Sequence, residues 1–327
     1  MVSILRALKR CRRNPNRGFT LIELLITVAV GGLIISGLMY FVIDLTRTDQ
    51  REGDRTETQR DLRAALDYIN SELERAVYVY DNNCLQGIDE DPADQIPPCN
   101  GRIPQFLNLS PGMTPVLAFW KLQPLPDPIR DECFNGTAGA GVSCASGSSY
   151  TLVVYSIGVP PGDNPPAPLD NLEGEAGIFR QAMTINTANN PNYVGPFNDQ
   201  APRFRDWPDV DRDGEDDDTA AGGAPVFNQG PDLLVDFVAS GDDPIGPNAC
   251  PATADYELVP PNGPSSFYVC VNDGIDVANA GNQDIILFLQ GSSANRSGLY
   301  QEGNAFRPTL ESRTFIRGAI DKNPRNL

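Results

Sequence analysis

Three groups of residues in this sequence could do chemistry. The first is a single carboxylate, Glu23, inside a run from Phe19 to Ile43 that holds no other charged side chain. A carboxylate inside an apolar helix costs roughly 2.5–3.5 kcal/mol near the centre of a bilayer, so it marks a function and calls for a partner. No basic side chain in the run can supply one. A cut between Gly18 and Phe19 would, because the new α-amino group would lie on the same end of the helix. In an assembly, the amine of a neighbouring copy could serve instead. The second group is an acidic stretch, Asp209-Val210-Asp211-Arg212-Asp213-Gly214-Glu215-Asp216-Asp217-Asp218. The third is the cysteines.

The alternating aspartates followed by glycine resemble the start of an EF-hand-type calcium loop. In such loops side chains at alternate positions converge on the cation and the glycine permits the sharp turn. The resemblance makes Asp209, Asp211 and Asp213 side-chain ligands, gives Glu215 a carbonyl ligand, and lets Asp217 bind directly or through water. It fails at the last position, where a bidentate glutamate is expected and Ala220 stands. Asp218 or a distant acid would have to substitute, and no flanking helices are evident. A bound calcium ion would neutralise and fix a crowded loop, a structural role. The competing reading is a solvated acidic loop, which charge runs usually are. No other cofactor is suggested.

Composition closes several routes. Histidine is absent, which removes Ser-His-Asp and Cys-His catalysis and most zinc sites. Paired carboxylates could still cleave glycosides, but among 43 acidic residues a pair carries no information, so no enzyme is expected. The formal net charge of −18 becomes −24 once the six basic residues before Phe19 are removed. Such a surface repels nucleic acid. Of seven cysteines, Cys11 would leave with the leader and six would remain. An even count in an exported segment fits an oxidising compartment. Six cysteines allow 15 connectivities; sequence neighbours are the simplest choice, namely Cys84–Cys99, Cys133–Cys144 and Cys250–Cys270.

The elements that must position Glu23 are a helix and a basic leader. The run from Phe19 to Ile43 is 25 residues, enough to cross a bilayer, which needs about 20. Ahead of it stand Arg6, Lys9, Arg10, Arg12, Arg13 and Arg17. A positive flank keeps the N-terminus cytoplasmic and sends the rest outward. A secretory signal would have a shorter apolar core and a small-residue cleavage site after it, and neither is present.

Gly18-Phe19-Thr20-Leu21-Ile22-Glu23 closely resembles the processing site of type IV prepilins and type II secretion pseudopilins. The resemblance implies a membrane prepilin peptidase that cuts after Gly18 and methylates the amine of Phe19. It gives Glu23 a role in recognition during processing or assembly, pairing with a neighbour's N-terminus. It also implies partners: other pilin or pseudopilin subunits, an inner-membrane assembly platform and an ATPase. The expected location is the bacterial inner membrane, crossed once, with the head in the periplasm or in a filament reaching the cell surface. Many major pilins carry a proline midway through the apolar half; this chain has none there. Gly31, Gly32 and Gly37 are the soft points instead, each lowering helix stability by about 1 kcal/mol.

Residues 1–18 read as a cleaved leader, 19–43 as the membrane or filament-core helix, and 44–83 as its amphipathic continuation. Leu62, Leu66, Ile69, Leu73, Ala76, Val77 and Tyr80 fall at spacings of three and four, predicting one buried face. Glu72 and Glu74 read as polar positions on the other side, and Asp81-Asn82-Asn83 as the stop. Residues 84–327 form the head, rich in glycine, proline, asparagine and aspartate between short β-branched and aromatic runs. Strands are expected near Val116–Leu122, Tyr150–Ile157, Leu233–Ala239, Ser266–Val271, Asp284–Gln290 and Arg313–Arg317. No second helix shows comparable periodicity, and the stretch 158–232 is long enough to hold small elements of its own. The fold class is therefore α+β: a long N-terminal helix packed on an antiparallel sheet.

Together these readings describe a minor pilin or pseudopilin, a structural subunit of a type IV pilus or type II secretion-like filament serving secretion or motility. The run Gln59–Ile69 resembles the larger minor subunits at a filament tip. The segments Phe288-Leu289-Gln290-Gly291 and Phe315-Ile316-Arg317-Gly318 resemble pseudopilins of cyanobacterial hormogonium polysaccharide secretion. Two alternatives stay open at this stage: a pilus-tip adhesin that binds through the loops 84–115 and 158–232, and a membrane-tethered enzyme.

Overall fold

The structure is a computed structural model that describes residues 18–86, 107, 109–137, 144–162, 164–185, 193, 195–196, 204, 207, 227–241, 249–251, 256–263, 265–272, 283–296 and 305–316. It divides into two compact units, residues 1–53 and 54–327. A long helix, α1 (Leu21–Leu73), runs through both. The second unit continues with β1 (Ala76–Val79), α2 (Asn82–Gln86), β2 (Met113–Pro124), α3 (Asp127–Asn135), β3 (Ser148–Gly158), β4 (Ala176–Met183) and β5 (Gln229–Val238). It closes with β6 (Tyr256–Val259), β7 (Phe267–Asn272), β8 (Gln283–Gln290) and β9 (Thr309–Ile316). All strand pairs are antiparallel. The class is α+β, with the strands in two sheets, β1-β2-β3-β4-β5 and β6-β7-β8-β9.

The helix stops earlier than its apolar spacing suggests. It ends at Leu73, and Ala76–Val79 is a strand whose Tyr78 and Val79 sit opposite Trp120 and Phe119 of β2. The residues Ala76-Val77-Tyr78-Val79-Tyr80 satisfy a helical face and a strand equally. They are β-branched and aromatic, and the open edge of β2 offers them a ladder, so pairing wins. Leu62, Leu66, Ile69 and Leu73 do form the buried face of α1, joined by Ala65, Thr58 and Asp54. Residues 158–232 hold β4 and a 3₁₀ turn at Leu169–Asn171. The helix α3 lies where none was expected, its nine residues too few to show a period.

Glu72 is the largest departure. It is buried rather than on a polar face, and one carboxylate gathers side chains from three neighbouring strands. Lys121 of β2 donates from Nζ to Oε1 at 2.5 Å. Arg180 of β4 donates from Nε to Oε2 at 3.0 Å and from Nη2 to Oε1 at 2.9 Å, a bidentate fork. Between them Tyr155 of β3, directly opposite Arg180, donates its hydroxyl to Oε2. Burial alone would raise the Glu72 carboxyl, but the bonds from Arg180, Lys121 and Tyr155 outweigh it and hold it below its ordinary 4.5. Burial and the neighbouring negative charge push the Tyr155 hydroxyl well up, so it stays a donor.

The second sheet meets the same helix through different chemistry. Asn70 donates from Nδ2 to Ser312 Oγ at 2.6 Å and accepts from Thr314 Oγ1 at 3.2 Å, both on β9. Gly291, just past β8, lies against Leu62: a Cβ there would fall 2.3 Å from Leu62 Cδ1. The two sheets are tied to each other where Val238 bridges Gly291, with Ala239 N–H donating to Gln290 C=O at 3.0 Å and Ser292 N–H to Phe237 C=O at 2.8 Å. On the face of the first sheet away from Glu72, Trp120 donates from Nε1 to the Tyr80 hydroxyl, which donates on to Phe204 C=O.

Removing Glu72 strands two cations, and breaking a buried pair from one side costs about 3–5 kcal/mol. Glu72→Ala should therefore lower the thermal midpoint sharply, and a variant that melts like wild type would refute the clamp. Because the folded carboxyl titrates below its ordinary 4.5, its contribution is fully present above that pH and drains away as pH falls through the folded value. Wild type should lose stability faster than Glu72→Gln on acidification below this point, measured by denaturant unfolding across pH.

Candidate functional site

The junction at residue 18 is built by a helix start. Gly18, Phe19 and Thr20 are exposed and precede α1. The backbone carbonyl of Thr20 accepts from Glu23 N–H at 3.0 Å and from Leu24 N–H at 3.2 Å, and its side-chain Oγ1 accepts from Glu23 N–H at 3.3 Å. Thr20 is thus the N-cap and Glu23 the third helical residue, the spacing of a capping box. The cap sets the boundary of the helix, so the Gly18–Phe19 bond lies outside it, where a peptidase can reach it. This role of Thr20 escaped the sequence reading, although Thr-x-x-Glu before an apolar run was its signal.

Glu23 sits in the first turn of α1 and is exposed. A carboxylate there is favoured by the helix dipole, typically by about 0.3–1 kcal/mol. No ion pair links it to a described residue. A cut after Gly18 would place a positive amine four residues away, at the same helix end.

From Leu21 to Leu45 no apolar side chain is buried. Leu21 is 82% exposed, Leu33 76% and Tyr40 77%, and the exposed run extends to Leu45. The serine and threonine hydroxyls in and beside the run are satisfied by the helix itself. Thr27 donates to Leu24 C=O, Ser36 to Gly32 C=O and Thr46 to Val42 C=O, each at 2.8 Å. That is the condition a lipid environment imposes on a spanning segment. Gly31, Gly32 and Gly37 have open space where a Cβ would stand, so no packing among the described residues requires glycine at these positions. From Leu21 to Ile43 the helix covers about 35 Å at 1.5 Å per residue, enough for a hydrocarbon core of about 30 Å.

Residues 13–39 match the prokaryotic N-terminal methylation motif. The N-terminal segment carries a type IV pilin signal, which fits a pilin-like protein. The motif implies processing by a prepilin peptidase and assembly with other pilins, which are structural subunits. Together with the single apolar helix it supports membrane anchoring. No curated protein and no solved structure matches the chain.

The remaining site residues divide by location. Asp209, Asp211, Asp213, Glu215 and Asp217 lie outside the described residues, as do Asp218 and Ala220. Among the described residues, no cluster of three or more acids or cysteines could hold a metal. Cys133–Cys144 and Cys250–Cys270 are disulfides. The first anchors the end of α3, and the second ties residues 249–251 to β7. Cys84 is disulfide-bonded, and Cys99 lies outside the described residues.

Proposed function

We propose that this chain is a minor pilin or pseudopilin, a structural subunit of a type IV pilus or type II secretion-like filament working in secretion or motility. The observation that carries this reading is an exposed Gly18–Phe19 junction just before a helical run, Leu21 to Ile43, whose apolar side chains are all exposed and which holds one carboxylate, Glu23. Such a surface must be covered by lipid before assembly and by like helices afterwards. In that setting Glu23 sets register by seeking the amine of a neighbour in an otherwise dry core, and the second unit is carried outside the membrane. The apolar segment does the holding and no bond is made or broken, so the mechanism is assembly rather than catalysis. The large two-sheet head favours a minor, tip-type subunit over a repeating one. A platform protein and an ATPase in the inner membrane would drive insertion into the filament.

We also propose that the acidic loop at 209–217 takes a structural calcium ion, on the grounds of its alternating aspartates and glycine.

Intact mass of the protein extracted from its own membranes tests the first reading. A chain beginning at methylated Phe19 is expected, and one still beginning at Met1 refutes it. Glu23→Ala should still insert into the membrane but enter filaments poorly; incorporation at the wild-type level would remove the register role. For the loop, chelation should lower the thermal midpoint and added calcium restore it, and an unchanged midpoint would sink the proposal.

A further inference from the structure

Among the described residues two Asn-Gly pairs have an exposed asparagine: Asn135–Gly136 at the end of α3, and Asn262–Gly263 just after β6. This dipeptide carries its own chemistry. The main-chain nitrogen that follows an asparagine can close a five-membered ring on the side-chain carbonyl. A glycine there leaves that nitrogen unshielded and its backbone free to turn. The two sites differ in their surroundings. A Cβ at Gly136 would meet nothing within 4 Å, whereas one at Gly263 would fall 2.1 Å from Pro260 Cγ. Ring closure requires the main chain to rotate between the asparagine and the glycine, and the first site has open space for it.

The pair forms the end of α3. Gly136 takes the left-handed conformation, at φ 72° and ψ 21°. Its N–H donates to Cys133 C=O at 3.3 Å, and Thr137 N–H donates to Glu132 C=O at 2.9 Å. The two bonds make a Schellman cap, and Thr137 Oγ1 adds a longer contact to Glu132 C=O at 3.4 Å. These bonds must open before the ring can close, and little else holds them. Asn135, Gly136 and Thr137 are all exposed. Of the nine residues of α3 only Ile129 is buried, and no side chain caps its start. A short helix with so few core contacts opens at its end far more readily than the whole head unfolds.

We propose that Asn135 is a self-modification site, converted through a cyclic imide to aspartate and isoaspartate. The Gly136 nitrogen, having given its proton to hydroxide, attacks Asn135 Cγ. The new N–C bond forms as the bond from Cγ to the side-chain nitrogen breaks, and that nitrogen takes a proton from water and leaves as ammonia. A second water then opens the imide at either carbonyl. The net change is asparagine and water to a carboxylate and ammonia, with no oxidant or reductant. The new carboxylate stands in the last turn of α3, where the helix dipole disfavours an anion. It follows Asp131 by four residues and Glu132 by three, spacings at which like charges on a helix repel. The isoaspartate form also lengthens the main chain by one carbon, which spoils the spacing of the cap. The modification therefore loosens the end of α3, while the Cys133–Cys144 disulfide keeps it tethered. The inference rests on α3 alone, not on processing at Gly18.

The test ages the full chain in detergent micelles in mildly alkaline buffer. Peptides are then read by mass for the change from NH2 to OH, and isoaspartate is labelled with an isoaspartyl methyltransferase. In the folded chain Asn135 should react several-fold faster than Asn262, and in the urea-unfolded chain the two should react at similar rates. Asn135→Gln, whose longer side chain would need a larger ring, should carry no label at that position. An Asn135 that keeps its amide while Asn262 reacts, or a ratio of the two rates that unfolding does not change, would overturn the proposal. For the consequence, hydrogen exchange of the α3 amides should be several-fold faster in Asn135→Asp than in wild type, with β2 and β3 unchanged. Equal exchange in α3 would remove the loosening.

Discussion

A single carboxylate ties the helix to the head. Glu72 stands one residue before the end of α1 and receives hydrogen bonds from β2, β3 and β4 at once. Taking an ion pair out of water is expensive, and the cost is offset only when geometry is good and every lone pair is used. Here the Arg180 fork, the Lys121 ammonium and the Tyr155 hydroxyl use both oxygens. The arrangement constrains more than stability, because it sets which strand lies where along the helix. Apolar packing around Leu62, Ile69 and Leu73 would tolerate a slide by one turn, whereas a bidentate fork would not.

The same helix lives under two opposite rules. In its second half, apolar side chains are withdrawn from water by two sheets. In its first half they are all exposed, while the hydroxyls of Thr27, Ser36 and Thr46 return to the helix backbone. The hydrophobic effect acts on both halves, but only one of them is answered within this chain. The unanswered half is the strongest physical argument for membrane anchoring and assembly, and Glu23 is the one carboxylate in its uninterrupted apolar run, with no ion pair to a described residue.

The processing segment was legible in the sequence because its signals are local. Glycine before phenylalanine, a carboxylate five residues on, a basic leader and a long apolar run need no tertiary contact to be recognised. The cap at Thr20 was equally local and could have been read from its spacing to Glu23. The acidic stretch at 209–217 was legible only as composition, since alternating acids describe a calcium loop and a solvated one equally well. The pairing of Cys133 with Cys144 and of Cys250 with Cys270 agrees with the simplest choice by sequence neighbours, but spacing alone left many connectivities open.

For the head, alternation and β-branched runs located six strands and the α+β class, because a strand's pattern records which of its faces is buried. Four features depended on tertiary structure. The stretch 76–80 became a strand because the edge of β2 was there to pair with it. The nine residues of α3 were too short to show a period. The division into two sheets, joined at Val238 and Gly291, rests on pairings between residues far apart in sequence. Glu72 looked polar because it is charged, and only the convergence of Lys121, Tyr155 and Arg180 from three separate strands made it a core residue. Local sequence determined the apolar run, the methylation motif and six of the strands, since each follows from neighbours along the chain. The clamp and the sheet order were decided by the fold, because they depend on which distant segments meet.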